Sequence, residues 1–490
     1  MSGITLLGLG PGDPLLVTRE AWNVLESCGE IYVRTSLHPT VAGFPPNLRV
    51  NSFDSFYDDC ESFNDVYRCI VDVILNLGQR TQGVVYAVPG HPFIAEATTF
   101  ELVDRAQELG IPVKVIEGLS FLEPVISALG LDPFPHLEVI DALELGAIHH
   151  PPFPPSAHAI IAQIHSKLVA SEVKLTLMAL YPDQHPVIFV HSAGTKNLLV
   201  EHLPLSDIDR NAHIGLTSSL YVPSISENSS FESLQNLIAH LRAPDGCPWD
   251  REQTHQSLRP HLLEEAYEVL SALDSENPQK MKEEFGDLLL QIVLHAQIAS
   301  EHGEFSMVDI IQGLHDKLVR RHPHVFGEVE IKDKEGVLSN WERLKSIERE
   351  HSSDLGNGLL EGVSSELPAL LQAQSYQKRA ARVGFDWSDK KGVLQKIAEE
   401  IDELDKATDQ DARISEIGDL LFSLVNLARW YDIDAESALR GANHRFRQRF
   451  AYIEASARRL GVNLSDLTLN EMDALWDEAK SENDVETSER

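Results

Sequence analysis

The chain has 490 residues, 43% hydrophobic and 24% charged, an ordinary globular composition with length for roughly three domains of ~150 residues. Its formal net charge of −35 repels a phosphate backbone, which argues against a long nucleic acid as partner but not against small phosphate ligands held by local cations or metal ions.

The four cysteines, Cys28, Cys60, Cys69 and Cys247, form no Cys-x-x-Cys pair. Neither a disulfide scaffold nor a zinc ribbon is expected, and a reducing, cytoplasmic setting fits. No run reaches ~18 apolar residues, and the first residues lack a basic segment, so no membrane span and no signal peptide are expected.

Residues 1–222 read as an α/β domain. The stretches "ITLLGLG", "GVVYAVPG", "VKVIEG", "TLMALY", "PVIFVH" and "HIGLTSSLYVP" are short and apolar, and each is bounded by Gly, Pro or polar residues. They predict strands. Helical patterns such as "TREAWNVLES" and "ATTFELVDRAQELG" fall between some of them, which argues for a largely parallel sheet. The proline-dense "HHPPFPPSAH" at 149–158 predicts the joint between two lobes.

"GLGPGDPLLVT" at 8–18 follows the first predicted strand. It is either a loop that lets a ligand approach the backbone or a plain turn. Pro11 and Asp13 interrupt the Gly-x-Gly-x-x-Gly dinucleotide pattern. Together with "VVYAVPGHPFIAE" (84–96) and "VKVIEGLSFLEPVISALG" (113–130), this loop resembles the tetrapyrrole methylase family over residues 1–222. The resemblance implies two α/β lobes with S-adenosylmethionine in their cleft. It places Pro11, Val88, Gly90, Phe93, Ile94 and Ser120 near the methionine or adenosine. One departure is Gly90-His91-Pro92, where the family commonly has Gly-Asp-Pro. That weakens the case for methyl transfer. His91 is either a ligand contact or a loop histidine without a role.

The polar, Ser- and Asn-rich stretch at 221–233 predicts a linker, centred on 223–232. Beyond it strand signals nearly vanish and long amphipathic patterns predict an all-α half. That half repeats. "LEEAYEVL" (263–270) and "AEEIDELD" (398–405) both carry Glu-Glu-x-x-Glu, followed by "EFGDLLL" (284–290) and "EIGDLLF" (416–422). Basic clusters come next, and then Trp341 and Trp476. The expected boundaries are 233–352 for the first copy, 353–365 for the join, 366–484 for the second copy and 485–490 for a tail.

On a helix, positions three or four apart share a face. Glu265 with Glu268, Glu284 with Asp287, Glu400 with Glu403, and Glu416 with Asp419 therefore pair as oxygen-rich faces. One such face is usually just solvated. Here the second acidic pair abuts strongly apolar sequence, where like charges are costly without a cation. Gly286 and Gly418 precede the aspartates and predict close helix approach. Hard Mg²⁺ prefers such ligands.

The double motif, with "LRAPDGCPWDREQTHQSLRPHLLEEAYEVLSAL" (241–273) and "QKRAARVGFDW" (377–387), resembles the all-α nucleoside triphosphate pyrophosphohydrolases of MazG type over residues ~230 to ~480. The resemblance implies that Glu400, Glu403, Glu416 and Asp419 hold Mg²⁺, or Mn²⁺, in the second copy. It implies that Lys396, Asn443, Arg445, Arg449 and Trp476 meet the nucleotide, although the family often has lysine where Arg445 stands. The first-copy counterparts are Glu265, Glu268, Glu284 and Asp287, then Lys317, Arg321 and Trp341. Glu399 and Glu264 are each a water-activating base, an outer group or simply exposed. The implied reaction is Mg²⁺-dependent hydrolysis of an NTP or dNTP at the α-phosphorus, by a homodimer or higher homo-oligomer, in nucleotide-pool housecleaning. The competing readings are an S-adenosylmethionine-dependent methyltransferase and a non-enzymatic S-adenosylmethionine-binding regulator, the helical half driving assembly.

Overall fold

The computed structural model describes residues 3–488 apart from 61, 328, 330, 332, 334, 335, 338, 339, 342, 343, 345–357 and 362. The expected join at 353–365 therefore lies partly outside the described residues.

Apolar residues make Ile4–Gly8 (β1) a strand buried on both faces. It sits inside a wholly parallel sheet of order β3-β2-β4-β1-β5. The other strands are Glu30–Val33 (β2), Arg49–Ser52 (β3), Val84–Val88 (β4) and Val113–Ile116 (β5). Helices Phe63–Gly78 and Ala97–Glu108 cover one face, packing Ile70, Ile74 and Leu102 on Leu6 and Tyr86. Helix Arg19–Ser27 covers the other, packing Ala21 and Leu25 on Leu7, Ile31 and Ala87. Each fully buried large apolar side chain contributes about 1.5–3 kcal/mol.

A second sheet has order β6-β7-β10-β8-β9. Its strands are Leu137–Asp141 (β6), His158–Ala162 (β7), Pro186–His191 (β8), Leu199–Pro204 (β9) and Ser218–Val222 (β10). Only β6 and β7 pair in parallel. Because β6 already belongs to this sheet, the lobes join before residue 137. The proline-dense 149–158 segment instead lies within the second lobe, ahead of β7. The expected strand at 176–181 is also corrected. It begins in the last turn of helix Lys167–Met178, whose buried residues Val169, Ala170, Val173, Thr176 and Leu177 recur at helical spacing. Helix Leu122–Leu129 sets Val125 against Ile160, Val190 and Tyr221 of the second sheet.

Contacts divide the chain into two units, Met1–Gln253 and Thr254–Arg490. Among its described residues the second contains helices and turns but no strand. Its long acidic-motif helices and the one that follows the second motif begin on side-chain caps that satisfy the first free N–H groups. Thr254 caps His255–Asp274 and Asn277 caps Pro278–His302. Asp389 caps Lys390–Lys406, Asp409 caps Gln410–Trp430 and Asp434 caps Ala435–Leu460. Helices Met307–Arg321, Ala369–Arg382 and Leu469–Ser488 complete the set used below. Among the described residues, no helix is long and apolar enough to cross a membrane.

Candidate functional site

Each acidic motif is a pair of packed helices with a short turn between them. In the first copy, carboxylate oxygens of Glu265, Glu268 and Glu284 all lie within 4.8 Å of one another. In the second, those of Glu400, Glu416 and Asp419 do the same. Asp287 and Glu403 stand outside these close sets but near enough to act on them electrostatically, Asp287 on Glu265 and Glu403 on Glu416. Loss of solvent, and then the neighbouring carboxylates, raise Glu265, Glu284 and Glu416 above the ordinary carboxylate value. Crowded oxygens that resist ionisation together suit a hard divalent cation, which neutralises them and takes oxygen ligands.

The sequence predicts close helix approach at Gly286 and Gly418, but among the described residues neither glycine serves one. A Cβ at either would meet open space. The same helices expose apolar residues at matching positions, Phe285, Leu289 and Ile292 in one copy and Ile417, Leu421 and Leu424 in the other.

Glu264 and Glu399 are both exposed. Glu399 receives Lys396 Nζ at 3.0 Å, and the same ammonium lies 2.8 Å from the buried Glu400. The basic residues lie on later helices. Lys317 is exposed, and Arg321 holds its guanidinium 5.7 Å from the centre of the Trp341 ring. In the second copy Arg449 sits 5.5 Å from the Trp476 ring, against which Phe446 also packs at 5.2 Å. Arg449 Nε is buried and has no hydrogen-bond partner among the described residues. Asn443 and Arg445 are exposed. Both copies thus repeat an arginine on a tryptophan face, a contact of about 0.5–1 kcal/mol.

In the first unit, the loops after β1, β4 and β5 converge at the carboxyl ends of the strands. Gly10 and Gly90 exchange backbone hydrogen bonds of 3.2 and 2.9 Å, both at positive φ. A Cβ on Gly118 would lie 2.4 Å from the Gly90 carbonyl oxygen, so only glycine fits there. Beside them opens a cleft of about 210 Å³ lined by Pro11, Gly90 and Ile94 of the expected set. The other three do not line it. Val88 is buried, its carbonyl taking the Leu9 N–H. Phe93 packs on Phe100 at 5.4 Å. Ser120 is buried, donating to Glu123 at 2.6 Å and accepting from the Leu122 N–H. His91 Nδ1 accepts the Phe93 N–H at 3.1 Å, so the ring ties its own loop.

The cleft also holds residues that sequence reasoning missed. Arg34 lines it, fixed by Glu96 at 2.8 Å, and His38 stands close by. Burial, and then the Arg34 charge, lower His38 to about 4. Ala95 and Gln163 line it at φ of 54° and 64°, strain of a kind found at ligand sites. No local motif announces Arg34. It follows β2, which the strand order sets beside β4.

A family profile for "Tetrapyrrole (Corrin/Porphyrin) Methylases" matches residues 3–209, and one for "MazG nucleotide pyrophosphohydrolase domain" matches residues 253–326. The chain is 41% identical over 490 residues to the "Uncharacterized protein YabN" of Bacillus subtilis, covering 97% of this chain and 98% of that protein. It is 46% identical over 253 residues to the "Nucleoside triphosphate pyrophosphohydrolase/pyrophosphatase MazG" of Thermotoga maritima, covering 51% of this chain and 95% of that protein. Among solved structures, a uroporphyrin-III-C-methyltransferase from Thermus thermophilus is 20% identical at a TM-score of 0.36, covering 46% of this chain and 95% of that chain.

Proposed function

The chain belongs to the family that joins a tetrapyrrole methylase-type region to a MazG-type helical region, and from that premise we propose that it hydrolyses nucleoside triphosphates at the α-phosphate, giving the monophosphate and pyrophosphate. The observation that carries this is the convergence of carboxylates from paired helices, written twice. Glu400, Glu416 and Asp419, with Glu403 beside them, would hold Mg²⁺ or Mn²⁺ in the second copy. Glu265, Glu268 and Glu284, with Asp287, would do so in the first. The bound ion supplies charge neutralisation and a lowered water pKa.

The chain's own groups do the rest. Arg445 and Arg449 share a helix face and offer guanidinium forks to phosphate oxygens, and in the first copy Lys317 offers an ammonium and Arg321 a guanidinium. Asn443 and Lys396 add donors. Trp476 and Trp341 lie against the nucleotide. Glu399 and Glu264, both exposed, would take the proton of the attacking water. In-line attack on the α-phosphorus breaks its bond to the bridging oxygen, which leaves with pyrophosphate. We favour the second copy as the working one.

The matching rows of exposed apolar side chains support a homodimer or higher homo-oligomer. Housecleaning of the nucleotide pool in the cytoplasm is the setting that fits. The division proposed is 1–222, 233–352 and 366–484, with short joins and a tail.

A second reading concerns the first unit. The glycine-lined loop convergence favours S-adenosylmethionine as ligand, for methyl transfer or for sensing.

The test is incubation of purified protein with each NTP and dNTP, with and without Mg²⁺, resolved by ion exchange. Metal-dependent monophosphate plus pyrophosphate is expected. Diphosphate plus phosphate would mean that the wrong bond is cut. No turnover would move the question to S-adenosylmethionine binding.

A further inference from the structure

The two acidic motifs carry different residues one helical turn before the cluster. Four residues before the buried Glu400 stands Lys396, whose ammonium rests 2.8 Å from Glu400 Oε1 and 3.0 Å from Glu399 Oε1. Four residues before Glu265 stands His261, whose Nδ1 is 3.8 Å from Glu264 Oε2. The i,i+4 spacing puts Lys396 over its cluster, whereas His261 lies against Glu264, outside the close set of the first. Glu400 is no solvated surface carboxylate, since its side chain is only 4% exposed. The ammonium therefore stands where a cation is wanted. Among the described residues the first cluster has no ammonium in that position. Its nearby lysine, Lys280, is exposed and acts on Glu284 only electrostatically.

An ion that uses the Glu400 oxygen has to displace the ammonium. Displacement leaves a charged lysine that needs a new anionic partner at the same place. Triphosphate oxygens are such a partner, and Glu399 alone is a weaker, solvated one.

We infer that the two clusters load metal differently: the first takes a free divalent ion, and the second takes its ion together with the nucleotide, whose phosphate receives Lys396. Lys396 then keeps the second site closed to metal alone and contacts phosphate once the nucleotide is bound. This rests on the metal-dependent reading above.

The test uses Mn²⁺ alone as probe on the full chain, with free ion counted by electron paramagnetic resonance. It is repeated with a triphosphate carrying a methylene between the α- and β-phosphorus atoms. Two classes of Mn²⁺ are expected, roughly tenfold apart in affinity. Glu265→Gln/Glu284→Gln should remove the tighter class and Glu416→Gln/Asp419→Asn the weaker one. The nucleotide should tighten the weaker class. Lys396→Met, checked against Lys396→Gln, should tighten it about tenfold without nucleotide, and His261→Lys should weaken the tighter class. Equal classes in the natural protein, or weaker Mn²⁺ binding in both Lys396 variants, would overturn the inference and leave the metal reading intact. No bound Mn²⁺ with or without nucleotide would overturn both.

Discussion

The two acidic hairpins of the helical unit are built alike and balanced differently. Each begins on a polar cap, sets a Glu-Glu-x-x-Glu face beside a Glu-x-x-Asp face, and leaves the same apolar positions exposed. In the first, three carboxylates crowd together with no ammonium at the matching position among the described residues. In the second, the most buried carboxylate already has its counter-charge. The difference teaches that motif spacing brings the carboxylates together, while the residue one turn upstream governs which counter-charge they already hold.

The largest expected effect tests which copy works. Glu416→Gln/Asp419→Asn should lower kcat/KM for NTP hydrolysis about 10³-fold, and Glu284→Gln/Asp287→Asn should lower it less. The reverse ranking in a steady-state assay would break the comparison.

A stability effect comes next. In the second copy Gln374 donates to the Ile433 carbonyl at 2.7 Å and accepts the Ala435 N–H at 3.0 Å. Gln374→Ala strands both groups and should cost about 1–3 kcal/mol, read as a lower urea midpoint. No shift would mean that these bonds do not brace the second copy.

The third prediction concerns pH. Glu265, Glu284 and Glu416 are raised in the folded state above the ordinary glutamate value of 4.5. Their protonated forms favour the folded state, so below 4.5 they cost nothing. Between that value and their raised folded values, stability falls as pH rises. Without divalent ions, Glu284→Gln and Glu416→Gln should each flatten that fall in thermal melts. A steeper fall in either variant would count against mutual repulsion.

The smallest effect distinguishes the ring contacts. Trp476→Ala should raise KM about two- to fivefold, in line with loss of a cation–π contact, and Trp341→Ala should do less. Equal shifts would favour two working copies.

Much of this was legible from sequence. The acidic helices were readable because apolar residues recur three and four apart around the carboxylates, and β1, β4, β5 and β8 because they are short, branched runs between breakers. The stretch at 176–181 misleads because it is a short apolar run with Thr176 and Tyr181, which suit strands, at its ends, and only the upstream Val169, Ala170 and Val173 reveal the helical period. β2 and β3 are short and mix polar with apolar residues, so they become strands through pairing with β4 and with each other. Arg34 and His38 were unreadable for the same reason: non-local strand order brings them to the cleft. Lys396 was visible as a residue, but its docking on Glu400 needed the burial of that carboxylate.

The central claim is attack at the α-phosphorus, and solvent oxygen reports it most directly. Hydrolysis of the preferred triphosphate in ¹⁸O-water, followed by mass spectrometry of both products, should place the label in the nucleoside monophosphate. Label in pyrophosphate would show attack at the β-phosphorus and contradict the account.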